Sequence, residues 1–338
     1  MNTLQDDNEI RKQVFSHSRA EFEKLAVQIF NFQYTNTDIY RQYCMALKTD
    51  PAKVDRLEKI PFLPIQFFKA RKIMAGNFVP ELIFESSGTT GSVNSKHFVK
   101  DKNVYEECFL TAFKLFYGDV SRLSIIGLLP SYLERQHSSL VYMVNELVSQ
   151  SKHPSSGFYL YDTEKLYQAL LENENNKQPT LLIGVTYALL DFAEKYPKKM
   201  HNTIVMETGG MKGRREELTR AEVHEQLKQQ FGIAEVHSEY GMTELLSQAY
   251  SKGNGIFNCP PWMKILIRAE DDPFDISSSN NIQGKFAAGA VNIIDLANFS
   301  SCSFIATDDA GRLYNDGSFE ILGRLDNSDL RGCGLMIV

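Results

Sequence analysis

From about residue 80, short apolar runs alternate with stretches of helical spacing, a rhythm that restricts the chain to a layered α/β architecture. Leu82–Phe84 runs into a Ser/Gly/Thr loop, Leu123–Leu129 is closed by Pro130, and Leu181–Val185 follows Pro179. Thr203–Met206 ends at Gly209-Gly210, and Ile233–His237 leads to Tyr240-Gly241. Residues 187–195 and 215–230 carry helical patterns between these runs. After residue 260 the helical signal fades: Lys264–Arg268, Phe286–Asp295 and Ser303–Thr307 read as strands. Asn315-Asp316-Gly317 between two apolar runs predicts a hairpin. Upstream, Ile10, Val14, Phe15, Phe22, Leu25, Ile29 and Phe30 recur at helical spacing and predict one amphipathic helix over 8–30. Pro61 and Pro64 keep residues 60–69 out of a regular helix or central strand, so this aromatic-rich stretch should be an extended connection docked on the core.

With 43% hydrophobic and 23% charged residues, the chain of 338 has enough apolar side chain for a large core, and disorder or a collagen-like repeat is excluded. The longest clean apolar run, Leu123–Leu129, falls far short of the ~20 residues of a membrane span. Residues 1–11 carry acids and no apolar signal core, so a soluble, cytoplasmic protein is expected. A net charge of −6 offers no general attraction for nucleic acid or anionic lipid, so neither is expected as a partner. The five cysteines are scattered without a CxxC pair, and the histidines show no HxxxH or HExxH spacing. Reduced thiols are therefore expected, rather than a disulfide framework or a zinc site.

Three segments carry chemistry. Ser86, Ser87, Gly88, Thr89, Thr90 and Gly91 follow an apolar strand. The glycines let backbone N–H groups converge on an anion, the four hydroxyls add donors, and Lys96 can supply a point charge. A flexible linker has the same composition, and neither a Walker A nor a Rossmann glycine pattern is present. In His237-Ser-Glu-Tyr-Gly-Met-Thr-Glu244, Tyr240 can stack on a planar base, Thr243 can bond a phosphate and Glu244 can hold Mg²⁺. A strand-to-helix turn capped by Thr243 is the plainer alternative. In Thr307-Asp-Asp-Ala-Gly311 and Leu322-Gly-Arg-Leu-Asp326, Asp309 can accept ribose hydroxyls and Arg324 supplies a fork of donors. An Asp-Gly turn and a surface ion pair compete with that reading. Lys212-Gly-Arg-Arg215 sets basic residues at a helix start against the macrodipole, which suits a ligand, although a solvated charged face is the preferred reading.

Taken singly, each segment has an ordinary explanation; their order is what decides. SSGTTG, a Gly-Gly after a strand, YGMTE, TDDAG and GRLD, in that sequence and spacing, resemble the adenylate-forming superfamily of acyl-CoA synthetases, adenylation domains and luciferases. Within it, residues 60–69, the Ser86–Gly91 loop, His237–Glu244 and Arg331-Gly-Cys-Gly-Leu-Met336 resemble the acyl-protein synthetases of the bacterial luminescence type.

The resemblance implies the large N-terminal domain of the adenylate-forming fold, layered α/β subdomains plus a β-rich subdomain, with the small C-terminal domain absent. The expected division is 1–322, with a helical region over 1–80, an α/β part over 81–260 and a β-rich part over 261–322. A hinge-like stub over 323–338 follows. The resemblance further implies that Ser86 to Gly91 hold the β- and γ-phosphates of ATP and that Gly209-Gly210 line the adenine. Tyr240 would stack on the base, Thr243 contact the α-phosphate, Glu244 position Mg²⁺, Asp309 bind the ribose, Arg324 contact the nucleotide and Asp326 sit at the hinge. Lys96 stands two places later than the superfamily's loop lysine. The implied reaction activates a carboxylic acid, a fatty acid in the first instance, to an acyl-adenylate with release of pyrophosphate. A thioester then forms on Cys333, whose flanking glycines let the thiol swing and whose neighbour Arg331 favours thiolate. A tail cysteine packed with Leu335 to Ile337 is the plain alternative. An acyl-CoA-reductase-like protein would be the implied partner. A ligase using CoA or a carrier protein, and an inactive nucleotide-binding protein, are the alternatives.

Overall fold

The computed structural model describes residues 6–86, 93–130, 134–209 and 218–325. The N-terminal region is helical, with α1 (Asp7–Ser16), α2 (Phe22–Asn36) and α3 (Asp38–Ala46). The single helix expected over 8–30 is broken between α1 and α2. His17 is extended there, and Ser18 with Glu21 forms a capping box that starts a new helical run. The apolar spacing carries through the break, so the pattern alone does not reveal it. Phe30 and Tyr40 pack on Phe304, the Tyr40 ring stacking on it at 6.1 Å between centroids.

The proline-bearing stretch contributes β1 (Leu63–Pro64) and the short α4 (Phe67–Ala70). Next come β2 (Leu82–Glu85) and β3 (Lys96–Val99), which pair antiparallel as a separate ribbon, then α5 (Lys102–Tyr117). The alternating part follows as β4 (Ser124–Leu128), α6 (Ser139–Ser151), β5 (Gly157–Phe158), α7 (Thr163–Asn175), β6 (Thr180–Val185), α8 (Thr186–Lys195), β7 (Thr203–Thr208), α9 (Arg220–Phe231) and β8 (His237–Tyr240). Strands β4, β6, β7 and β8 run parallel, and every residue of β4 and β6 is buried. Burial on both faces is why these strands read as continuous apolar runs rather than alternating ones.

The chain then turns into antiparallel pairing through β9 (Ala249–Ser251), β10 (Phe257–Asn258), β11 (Met263–Arg268), β12 (Ile276–Ser277), β13 (Phe286–Asp295), β14 (Phe304–Tyr314) and β15 (Phe319–Arg324). All strands but β2 and β3 join one sheet in the order β12-β11-β13-β14-β15-β10-β9-β8-β7-β6-β4-β5, with β1 attached to β14. β1 runs parallel to β14 at Ile305 and Ala306, beside the part of β14 that β15 does not reach, so the prolines sit where ladder donors are dispensable.

Two expectations shift. The strand expected at Ile233–His237 lies at His237–Tyr240, because pairing with β7 begins at Met206↔His237. Residues 307–311, with an Asp-Gly turn as one reading, lie inside β14 instead. The central consequence is positional: β8 is the last parallel strand and β9 the first antiparallel one. Its C-terminal end therefore opens where the sheet changes direction, the kind of place where open α/β sheets bind ligands.

Candidate functional site

The loop after β2 is anchored at both ends by the β2–β3 ribbon. Ser86 N–H donates to the Ser95 carbonyl at 3.1 Å, and Ser95 N–H donates to Ser86 Oγ at 2.9 Å. Lys96, at the start of β3, pairs with Glu85 at 3.0 Å across the ribbon. Ser87, Gly88, Thr89, Thr90 and Gly91, together with Gly210, Lys212 to Arg215, Asp326, Arg331 and Cys333, lie outside the described residues.

The Ser95 side chain lies beside the Glu244 carboxyl and favours its charged form, so the loop's root stands next to the segment after β8. Glu244 is only 5% exposed, and burial raises its carboxyl above the usual range. The turn that carries it is held from several directions. Leu246 and Ser247 donate backbone N–H groups to Asp295 Oδ2 at 2.8 and 3.0 Å. Asn298 Nδ2 donates to the Glu244 carbonyl at 2.8 Å, and the Thr243 carbonyl lies 2.9 Å from His97 Nδ1. No helix starts at Thr243, so the N-cap alternative does not hold.

Along β8, side chains alternate between faces. Tyr240 packs on Phe257 and Phe319, and its hydroxyl donates to Asp309 Oδ2 at 2.7 Å. Asp309 is aimed out of its strand by a bulge, in which residues 307–309 of β14 stand opposite Val291 alone. Arg268 fills the bulge, donating to the Thr307 and Val291 carbonyls and to Asn292 Oδ1. Burial raises the Asp309 carboxyl, while Arg324, across the ladder, opposes the rise. The Arg324 side chain is 88% exposed and 4.0 Å from Asp309, so it is free to swing toward a ligand.

On the other face, Thr208 Oγ1 donates to Glu239 Oε2 at 2.5 Å, and burial pushes the Glu239 carboxyl up to about 7. A Cβ at position 241 would fall 2.5 Å from Glu239 Oε1, so a larger residue there would displace the Glu239 carboxyl. Gly209 closes β7 at φ 74°, a left-handed conformation, and its carbonyl accepts from Thr186 Oγ1. His237 packs on Tyr117, whose hydroxyl lies 3.2 Å from Nδ1, and burial lowers the ring to about 4, so it is neutral and structural.

The structure thus sets Tyr240, Asp309 and Arg324 together around β8, β14 and β15, and holds Thr243 and Glu244, the next residues along the chain, against β3 beyond Ser86. Sequence reasoning missed His97, Asn298, Asp295, Ser95 and Arg268, which hold those residues. They are ordinary polar residues in or beside strands, with no spacing that marks them. An ATP-Mg²⁺ ligand fits this donor set. A buried carboxylate beside one serine, with exposed cations nearby, suits a cation that takes one carboxylate plus substrate phosphates. Among the described residues, no group of three or more His, Cys, Asp or Glu could form an all-protein metal cage.

Comparison with known proteins bears on the fold and the family likeness. Residues 10–113 match the family model described as acyl-protein synthetase, LuxE. The chain is 23% identical to the long-chain-fatty-acid–luciferin-component ligase of Aliivibrio fischeri, over 95% of this chain and 89% of that protein. Among solved structures, the luciferase-like enzyme of the nonluminescent mealworm Zophobas morio aligns at TM-score 0.50 and 16% identity. That alignment covers 83% of this chain, which spans only 64% of the mealworm protein. The acyl acid amido synthetase AtGH3.15, solved in complex with 2,4-DB, aligns at TM-score 0.51 and 11% identity over 95% of this chain and 72% of its own. The chain has the fold of the adenylate-forming enzymes and, in its sequence, is similar to the LuxE acyl-protein synthetases.

Proposed function

We propose that the protein activates a carboxylic acid with ATP, forming an acyl-adenylate and releasing pyrophosphate, and that the acid is a long-chain fatty acid. The observation that carries this is the seating of the Thr243–Glu244 turn: His97, two residues past the serine at the root of the Ser/Gly/Thr loop, faces the Thr243 carbonyl, in the segment that follows Tyr240 and its partner Asp309. A nucleotide spanning these groups would place its ribose at Asp309, its base against Tyr240 and its α-phosphate at Thr243, with the loop residues 86–91 at the outer phosphates. The carboxylate of the acid then attacks the α-phosphorus and pyrophosphate leaves. Such a step needs positioning and charge neutralisation more than a covalent protein nucleophile. Mg²⁺, held by Glu244 and the phosphates, would supply part of that neutralisation. Arg324 is placed to supply more.

The acyl group passes next to a thiol. Cys44, Cys108 and Cys302 are buried, and burial pushes the Cys44 and Cys302 thiols up to about 12. Cys108 and Cys259 are raised as well, so all four are poor thiolate nucleophiles. The acceptor proposed within the chain is Cys333, on the resemblance of Arg331-Gly-Cys-Gly-Leu-Met336 to the acyl-protein synthetases. By the resemblance to the acyl-protein synthetases, delivery to a reductase-like protein is the proposed sequel. Incubation with MgATP and a labelled long-chain fatty acid should give acid-dependent pyrophosphate release and a hydroxylamine-sensitive protein adduct. The Cys333→Ser chain should still release pyrophosphate but lose the adduct. An adduct retained in Cys333→Ser would refute the acceptor; no acid-dependent release in the unaltered chain would refute the activation step.

A further inference from the structure

His97 lies on β3, two residues beyond the serine that anchors the loop, and no motif includes it. It is buried to 1% exposure between two acceptors: Nδ1 is 2.9 Å from the Thr243 carbonyl, and Nε2 is 2.9 Å from Asn298 Oδ1. The orientation of the Asn298 amide is fixed independently, because its nitrogen donates to two carbonyls, Glu244 at 2.8 Å and Cys302 at 2.9 Å. The atom facing His97 is therefore the amide oxygen, an acceptor. From one ring, contacts reach the turn's backbone at two points, the Thr243 carbonyl directly and the Glu244 carbonyl through Asn298. The Phe68 ring stands edge-on to the imidazole at 5.9 Å and restricts its rotation.

We propose that His97 is a positioning residue for adenylate formation, clasping the Thr243–Glu244 turn to the strand that leaves the phosphate loop. The inference rests on the adenylation reading for what the turn does, but the clasp is a matter of hydrogen bonds in the chain itself. Ser95, just before β3, bonds Ser86 at the loop's root, while His97, on β3, meets the turn's backbone. Burial lowers the imidazole to about 4, so at neutral pH it carries one N–H and the two acceptors compete for it. A shift of the turn will change which nitrogen is protonated, and the ring becomes a reporter of the turn's position.

The test compares His97→Phe, which keeps the ring volume without donors, with His97→Gln, which keeps one donor. In fatty-acid-dependent ATP–pyrophosphate exchange, His97→Phe should lower kcat about tenfold or more while leaving the KM for ATP within about threefold. His97→Gln should recover part of the lost kcat. An unchanged kcat in His97→Phe, or an equal loss in both variants, would overturn the proposal. Should His97→Phe fail to fold, imidazole ¹⁵N shifts in the unaltered chain decide. Addition of MgATP should move the His97 ring signals, and signals that stay fixed at saturating nucleotide would overturn the clasp. The same spectra stand even if the unaltered chain shows no exchange with any acid, so failure of the adenylation reading is separable from failure of this one.

Discussion

Asp309 sits in a place that costs stability. Its carboxyl is largely buried and raised by that burial, and its described partners are one tyrosine hydroxyl and one exposed arginine. A group kept against such a cost is a mark of binding or catalysis rather than of folding. Asp309→Asn should weaken MgATP binding about tenfold, the loss of one or two hydrogen bonds of about 1 kcal/mol each, without lowering the thermal midpoint. Titration calorimetry beside thermal unfolding checks both halves, and an unchanged affinity contradicts the assignment. Glu239 gives a pH prediction. Its folded value of about 7 lies above the ordinary 4.5, so the stability it contributes is full below pH 4.5 and is lost as pH rises through 7. Glu239→Gln should therefore stabilise the protein by about 3 kcal/mol above pH 7 and by almost nothing near pH 4.5. Parallel stability curves for the two chains would show that the carboxylate is not desolvated. At this scale Tyr240, Glu244 and Asp309 were legible because each belongs to a short motif with a mechanism. His97, Asn298 and Asp295 were not, because their roles depend on contacts across 49 to 146 positions of sequence, for which a single chain gives no sign.

Among the elements, β14 shows what pattern reading can and cannot reach. The strand at 286–295 and the hairpin at Asn315-Asp316-Gly317 followed from β-rich runs and turn chemistry. The bulge that aims Asp309 did not, because Thr-Asp-Asp-Ala-Gly has the composition of a turn and only the missing partner on β13 makes it a bulge. Gly311, two residues on, packs so closely that a Cβ would meet the Glu320 carbonyl and Val291 Cγ2, each at 2.7 Å. Gly311→Ala should cost about 1–3 kcal/mol in urea unfolding and weaken MgATP binding with it, since the strand must move where Asp309 is set. Full affinity in a destabilised Gly311→Ala chain would show that the bulge does not depend on this packing. The α1–α2 break was hidden for a related reason. A capping box interrupted a helical spacing that the buried residues on either side preserve.

For the molecule as a whole, one sheet changes from parallel to antiparallel between β8 and β9, and Tyr240, Thr243 and Glu244 lie at that change. Their order, rather than any one of them, made the fold legible, because order constrains topology while a short motif constrains only a turn. The likeness to the A. fischeri ligase runs along 95% of the chain at 23% identity, a level at which architecture persists while pocket walls diverge. Chain length and head group of the acid are set by such walls, drawn from several elements, so no motif specifies them. The most direct test of the account is ATP–pyrophosphate exchange, with Mg²⁺, across a panel of fatty, aryl and amino acids. The account predicts exchange that depends on a long-chain fatty acid and falls sharply in Asp309→Asn. Nucleotide binding without exchange for any acid would contradict it and leave a nucleotide-binding protein in its place.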